Sequence, residues 1–274
     1  MIGNEFSVLM SIYHKENPRY FRSCMESIFN QTEVPDELVL VKDGPLTPEL
    51  DSVISEYRDK YSILTVVELP KNVGLGQALQ EGLKYCKYDL VARMDSDDIC
   101  VPDRFELQLN FMNNNPDICV SGGQILEFEN DIHNIIGKRE VPLLPEDCRK
   151  YYRNRDPLNH MTVIFRKKNI LDVGGYLPWH LDEDSFLWGR LLVKGYKIAN
   201  LPNVLVYVRG GKEMYGRRGG WKYFKSDTKL LKWKLNHKLI TYSGYAYNYT
   251  IRFIVQVLFP NWLRGFIYEK FLRK

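Results

Sequence analysis

The chain has 274 residues, 45% hydrophobic and 26% charged, which supplies core material for one large domain or a domain with an appendage and excludes a disordered or fibrous chain. Its net charge of +4 conceals an asymmetry: residues 207–274 hold 15 Lys/Arg against 3 Asp/Glu and 16 of the 36 aromatics, while residues 1–206 hold 23 Lys/Arg against 31 Asp/Glu. A basic, aromatic tail behind an acidic body points to an anionic partner, such as a membrane surface, a lipid phosphate or nucleic acid. Five scattered cysteines without a CxxC pair argue for a reducing compartment and against a zinc site, and the five histidines show no metal-ligand spacing. No basic region followed by an apolar run opens the chain, so no secretory signal is expected.

The first half alternates strand and helix patterns. Ser7–Tyr13 reads as an apolar strand, and Asn17-Pro18 supplies a cap and a first-turn proline for a helix to about Asn30. Glu37–Lys42 is a second strand, turned by Asp43-Gly44-Pro45, and Pro48 opens a helix to about Lys60. Leu64–Leu69 is a third strand, Gly76–Cys86 a helix, and Asp89–Met94 a fourth strand, after which Pro102 opens a helix through Asn113. This repetition predicts an α/β fold with a parallel, doubly wound sheet. The second half is less regular: strands over Ile118–Ser121, Gln124–Glu129, His160–Phe165 and Val204–Val208, and helices over Lys167–Val173 and Asp182–Val193.

Arg93-Met94-Asp95-Ser96-Asp97-Asp98 places three carboxylates within four residues at the end of the fourth strand. Clustered like charges call for a cation, and a hard divalent ion bridging to a phosphate suits them; a solvated turn, or Asp98 capping the next helix, is the alternative. Ligands of doubly wound sheets bind beyond the strand C-termini. Ser11-Ile12-Tyr13, Asp43 and Asp95/Asp97 therefore share one rim. A nucleotide needs that combination: an aromatic for the base, an acceptor for its imide N–H, and acids to hold a metal on the diphosphate.

Ser7–Tyr13, the strand ending in Asp43-Gly44, Asn72-Val73-Gly74-Leu75-Gly76-Gln77-Ala78, Arg93–Asp98 with Pro102-Asp103-Arg104, Gly174-Gly175-Tyr176 and Glu183-Asp184 occur in the order of family 2 glycosyltransferases, which the chain resembles over about residues 6–208. The resemblance implies a GT-A-type, mostly parallel sheet. It divides the chain into a catalytic domain over 1–208, with a nucleotide-binding half to about 122 and an acceptor half over about 123–208. A mobile basic Gly-rich loop over 209–220 and a helical extension over 221–274 follow. By the same resemblance Ser11 and Tyr13 sit beside a uracil, and Asp43 accepts from its N3–H. Asp97 coordinates Mn²⁺ or Mg²⁺, and Asp95 holds the ribose or a metal-bound water. His160 matches a region near the bound sugars. Asp184 is implied as the catalytic base, with Glu183 orienting it, in a single inverting displacement with no protein nucleophile. Asp98 is expected to cap. Two positions depart from the pattern: Lys42 stands where the family has an acid, and Arg209 near where many members have a His.

Arg217 and Arg218 in the Gly-rich loop are expected to close over a diphosphate. The tail has no run of about 18 apolar residues, so interfacial helices are expected rather than a membrane span. Together these readings imply a metal-dependent inverting hexosyltransferase on the inner face of the bacterial cytoplasmic membrane. It would use a UDP-sugar, glucose before galactose, on a GlcNAc- or GalNAc-diphosphate-undecaprenol acceptor, with a β1,3 linkage, in O-antigen or related repeat-unit assembly. No nucleic acid partner is expected, and the oligomeric state is left open. The alternatives are a sugar nucleotidyltransferase, which would release pyrophosphate, and a non-catalytic membrane or nucleic-acid binding protein.

Overall fold

A nine-stranded sheet runs in the order β3-β2-β1-β4-β8-β6-β9-β5, with β7 on β6, in a computed structural model that describes residues 5–179, 181–210 and 219–260. The strands are β1 (Phe6–Ile12), β2 (Glu37–Lys42), β3 (Leu64–Glu68), β4 (Leu90–Asp95), β5 (Ile99–Cys100), β6 (Ile118–Phe128), β7 (Ile135–Arg139), β8 (Ile164–Arg166) and β9 (Lys197–Arg209). The helices are α1 (Pro18–Phe29), α2 (Pro48–Lys60), α3 (Leu75–Tyr85), α4 (Arg104–Asn114), α5 (Pro145–Tyr151), α6 (Lys167–Asp172), α7 (Glu183–Val193), α8 (Trp221–Asn236) and α9 (Tyr242–Phe253).

Strands β3-β2-β1-β4 are parallel, and β8 closes this half by pairing antiparallel with both β4 and β6. The central strands are buried on both faces, which is why β1 and β2 read as continuous apolar runs. Alternation divides the core. Val8, Met10, Leu38 and Leu40 pack with Phe21, Ile28, Leu50 and Phe105 of α1, α2 and α4. Leu9, Val39 and Val41 face Leu79, Leu83, Leu187 and Trp188 of α3 and α7. Asn17 and Thr47 cap α1 and α2 as their sequences imply, accepting from Arg19 N at 2.9 Å and Leu50 N at 3.4 Å.

The second half departs from expectation. The strands expected over Ile118–Ser121 and Gln124–Glu129 are one, β6, because Gly122-Gly123 lets β9 approach rather than making a turn. A Cβ at Gly123 would lie 2.4 Å from Leu205 Cδ1, so only glycine fits there. The last strand is longer than expected, His160 lies in a 3₁₀ turn (His160–Thr162) before β8, and β5, β7 and α5 had no clear sequence signal. The C-terminal helices are packed into the body: Phe224, Leu230 and Leu231 of α8 are buried, and Trp233 packs on the α7 side of the core. No helix among the described residues is long and apolar enough to cross a membrane.

Candidate functional site

The parallel topology carries β1, β2 and β4 to one edge. Ser11 is in register with Val41 on one side and Asp95 on the other. Tyr13, just beyond β1, is exposed at 37%, open to a stacking partner, with His14 edge-on to its ring. Asp43 is buried, and its two carboxylate oxygens accept from Val73 N at 2.7 Å and Gly74 N at 3.0 Å. It therefore fixes the loop that starts α3 and satisfies N–H groups at that helix's N-terminus. Lys42 points elsewhere: its ammonium pairs with Asp51 and Glu68, each at 2.8 Å. The family's acid is thus replaced on a side chain turned away from this cluster.

The three acids after β4 have three different surroundings. Asp95 takes both guanidinium nitrogens of Arg93, a side chain only 1% exposed inside the sheet. Asp98 is buried and accepts from Arg209 N at 2.8 Å. The expected capping role for Asp98 is wrong, because α4 begins at Arg104 with Asp103 before it; Asp98 instead ties the acid turn to the end of β9. Arg209 reinforces that tie by donating from Nε to the Asp97 carbonyl at 3.1 Å, its guanidinium lying over the rings of Tyr20 and Phe128. Asp97 has its carboxyl pushed up to about 7, first by burial and then by Asp95 and Glu16. Glu16 is held beside the turn by Ser96 Oγ, which donates to it at 2.6 Å.

No group of three or more His, Cys, Asp or Glu among the described residues would hold a metal by itself. Asp97, raised by its acidic neighbours, is the carboxylate that a cation would relieve. These residues fit a magnesium- or manganese-type ion that takes one or two carboxylates and fills its shell with water and phosphate oxygens.

The other side of the site is built by α7. Glu183 packs against the first turn of α3: a Cβ on Gly76 would lie 3.0 Å from Glu183 Cβ and 3.1 Å from Cγ. Gln80 of α3 accepts from Tyr176 N at 2.7 Å, so the helix set by Asp43 also braces the Gly174-Gly175-Tyr176 turn. Asp184 Oδ1 accepts from Ser185 N at 2.7 Å, and Oδ2 lies 3.9 Å from His160 Nδ1. Burial, then Asp156 and Glu183, push the Asp184 carboxyl up to about 7. His160, whose Nε2 is 2.9 Å from Tyr176 Oη, is held well below its ordinary range by burial and by Arg93. It is therefore neutral, and its contact with Asp184 is not an ion pair. Arg93 is held charged chiefly by Asp95 and more weakly by Asp184, so one buried cation acts on both halves of the site.

The structure thus gathers Ser11, Tyr13, Asp43, Asp95 and Asp97 on one edge and Glu183 and Asp184 against the same α3 turn. Arg217 and Arg218 lie outside the described residues. Sequence reasoning missed Arg93, Glu16 and Tyr176 as members of this cluster. Arg93 had a signal: a lone charge inside an apolar central strand demands a buried partner. Tyr176 stood in the Gly174-Gly175-Tyr176 motif without a role assigned to it, and Glu16 had no signal, since only the fold brings it in.

The family described as "Glycosyl transferase family 2" matches residues 7–171. An uncharacterized glycosyltransferase of Haemophilus influenzae is 44% identical over 270 residues, covering 98% of this chain and 100% of its own. The UDP-Gal:alpha-D-GlcNAc-diphosphoundecaprenol beta-1,3-galactosyltransferase of Escherichia coli is 40% identical over 272 residues, 98% of this chain and 97% of its own. A crystal structure of S. aureus TarS 1–349 in complex with UDP-GlcNAc superimposes with a TM-score of 0.69 at 20% identity, over 97% of this chain and 81% of that one, a likeness of fold. With a matching family over more than half its length and relatives alike from end to end, this chain is a family 2 glycosyltransferase with the GT-A fold.

Proposed function

We propose that the chain transfers galactose from UDP-galactose to GlcNAc-diphosphate-undecaprenol, forming a β1,3 linkage during assembly of a polysaccharide repeat unit. The observation that carries this reading is the 40% identity, over nearly the whole of both chains, to a relative named for that reaction. It reverses the order of donors expected from sequence, putting galactose before glucose; GalNAc is the second acceptor sugar.

In this reading Tyr13 offers its exposed face to the uracil, and Ser11 lies beside it. Asp43 reads the imide N–H with a lone pair left over from its bonds to Val73 and Gly74. Asp95, neutralised by Arg93, accepts from the ribose. Asp97 would hold Mn²⁺ or Mg²⁺, with Asp95 reaching it through water; bound there, the ion would offset charge on the departing UDP. Arg217 and Arg218 are proposed to cover the diphosphate. Asp184 takes the proton from the acceptor hydroxyl as its oxygen attacks the anomeric carbon. A carboxyl raised to about 7 is a better base near neutral pH than an ordinary aspartate. Glu183, against Gly76, fixes the first turn of α7 relative to the donor. One base and one displacement invert the configuration.

The C-terminal helices present exposed Trp221, Tyr242 and Tyr247, and the reading places them at the anionic inner surface of the cytoplasmic membrane, where the lipid acceptor lies. Removing residues 221–274 is no clean test, because α8 is part of the core. Co-sedimentation with anionic vesicles should instead fall in a Tyr242→Ser/Tyr247→Ser variant of unchanged stability; equal recovery would end the membrane reading.

The deciding experiment is a donor screen on a synthetic GlcNAc-diphosphate lipid, with and without Mn²⁺. UDP release from UDP-galactose and a β1,3-linked product are expected. Pyrophosphate release would favour a nucleotidyltransferase, and turnover only with another donor would overturn the galactose assignment.

A further inference from the structure

The first turn of α7 rests on a second group of acids, reached through Ser185. While its N–H binds Asp184, its Oγ donates to Asp156 Oδ1. Its carbonyl accepts from Tyr152 Oη at 2.7 Å. The Tyr152 carbonyl accepts from Lys234 Nζ at 2.8 Å, and that ammonium lies 3.6 Å from the centroid of the Tyr152 ring. Lys234 belongs to α8 and is 2% exposed. From α9, Arg252 pairs with Asp227, which also accepts from Gln256 at 2.5 Å. Asp182, immediately before α7, shares this environment, its carboxyl pushed up to about 8 by burial and then by Asp227. Two cations supplied by the C-terminal helices thus stand among Asp156, Asp182 and Asp227, a group that Ser185 links to the residue proposed as the base.

Packing alone does not ask for this arrangement. Replacing buried charges with apolar side chains of similar volume is often neutral or stabilising. A buried ammonium is also unfavourable: burial pushes Lys234 down to about 8, and Asp156 is the first of the charges that resist the fall. The groups that face Asp184 are Asp156 from the segment after α5, Tyr152 at the end of α5, Asp182 and Glu183 at the start of its own helix, neutral His160 from the 3₁₀ turn, Tyr176 from the turn after α6, and Arg93 from β4. Only Arg93 among them is a cation, and after burial Asp156 acts most strongly on Asp184.

We propose that Asp156, tethered by Ser185 and balanced by Lys234, is a positioning residue that sets the proton affinity of Asp184, so that the C-terminal helices belong to the catalytic electrostatics. The inference deepens the proposed function, because it matters for turnover only if Asp184 is the base. Its logic is local. A carboxylate held beside a second carboxylate makes the second a stronger base, and a lysine behind the first limits that effect.

The test follows the Asp184 carboxyl itself in the full-length protein, by ¹³C NMR of labelled aspartate with Asp184→Asn assigning the signal. A wild-type midpoint near 7 is expected. Asp156→Asn keeps an oxygen for the Ser185 hydroxyl but removes the charge, and should lower the midpoint by roughly one unit. Lys234→Met should raise it. If Asp156→Asn fails to fold, Lys234→Met alone decides. Midpoints that stay put, or move in the opposite sense, overturn the proposal whatever the enzyme does. Turnover separates this from the reading beneath it. If the base assignment holds, the acid limb of kcat/KM moves with each midpoint, and Asp156→Asn has a lower alkaline plateau because a weaker base drives transfer less well. Shifted midpoints with full turnover in Asp184→Asn would leave the electrostatic inference standing and sink the base assignment.

Discussion

The molecule holds two groups of acids that look alike in composition and differ in how their charge is met. At the end of β4, Glu16, Asp95, Asp97 and Asp98 are answered from within by one buried guanidinium, a serine hydroxyl and backbone N–H groups, and Asp97 remains raised. Around the start of α7, Asp156, Asp182, Asp184 and Asp227 stand with Lys234 and Arg252, cations built into the fold. In the proposed function a ligand completes the first group. The second is completed by the protein, which suits a site that must hold and move a proton rather than a metal. The difference is not in the acids but in what the rest of the chain brings to them.

The sharpest way to break this comparison is Asp184→Asn. Turnover should fall by about 10²–10⁴-fold, the usual worth of a general base, with donor KM little changed. A fall in donor affinity at constant kcat would move Asp184 to the donor side. Next, Arg93→Met strips the buried partner from Asp95 and should destabilise the fold by about 3–5 kcal/mol in denaturant unfolding. A loss under about 1 kcal/mol would mean that Asp95 finds another partner or water. Asp97→Asn should cost about 10²-fold in kcat and abolish stimulation by added Mn²⁺, while the Asp184 midpoint stays in place. Undiminished Mn²⁺ response would remove Asp97 from the metal site.

The smallest expected effect is on stability against pH. Asp182 titrates near 3.8 when unfolded and near 8 when folded. Between those values the native state binds more protons than the unfolded one, so its contribution to stability is lost as pH rises through that window. Melting temperature should therefore fall from pH 5 to pH 8, and Asp182→Asn should flatten the slope by about 1 kcal/mol or more across it. An identical slope in the variant would show that Asp182 is ionised at low pH.

Much of this was legible in the chain. Capping residues, first-turn prolines and apolar runs marked the first half almost element by element, because parallel strands buried on both faces leave uninterrupted Val/Leu/Ile signatures. The second half resisted for a stated reason: Gly122-Gly123 resembles a turn locally, and only the approach of β9 makes it a place for glycine inside a strand. Asp98 misled in the same way, an acid before a helix whose real partner, the Arg209 N–H, lies 111 residues on.

By itself the sequence determined the alternating half of the fold, the rim that gathers Tyr13, Asp43, Asp95 and Asp97, and the likeness that singles out Asp184, since each rests on local pattern or motif. Tertiary structure decided which charges meet. Asp156 with Ser185, and Lys234 with Tyr152, are separated by 29 and 82 residues. Electrostatic energy depends on distance in space and on burial, and no local pattern records either. The same physics makes the tail more than a basic appendage, because Lys234 is buried on the Tyr152 carbonyl among Asp156, Asp182 and Asp227.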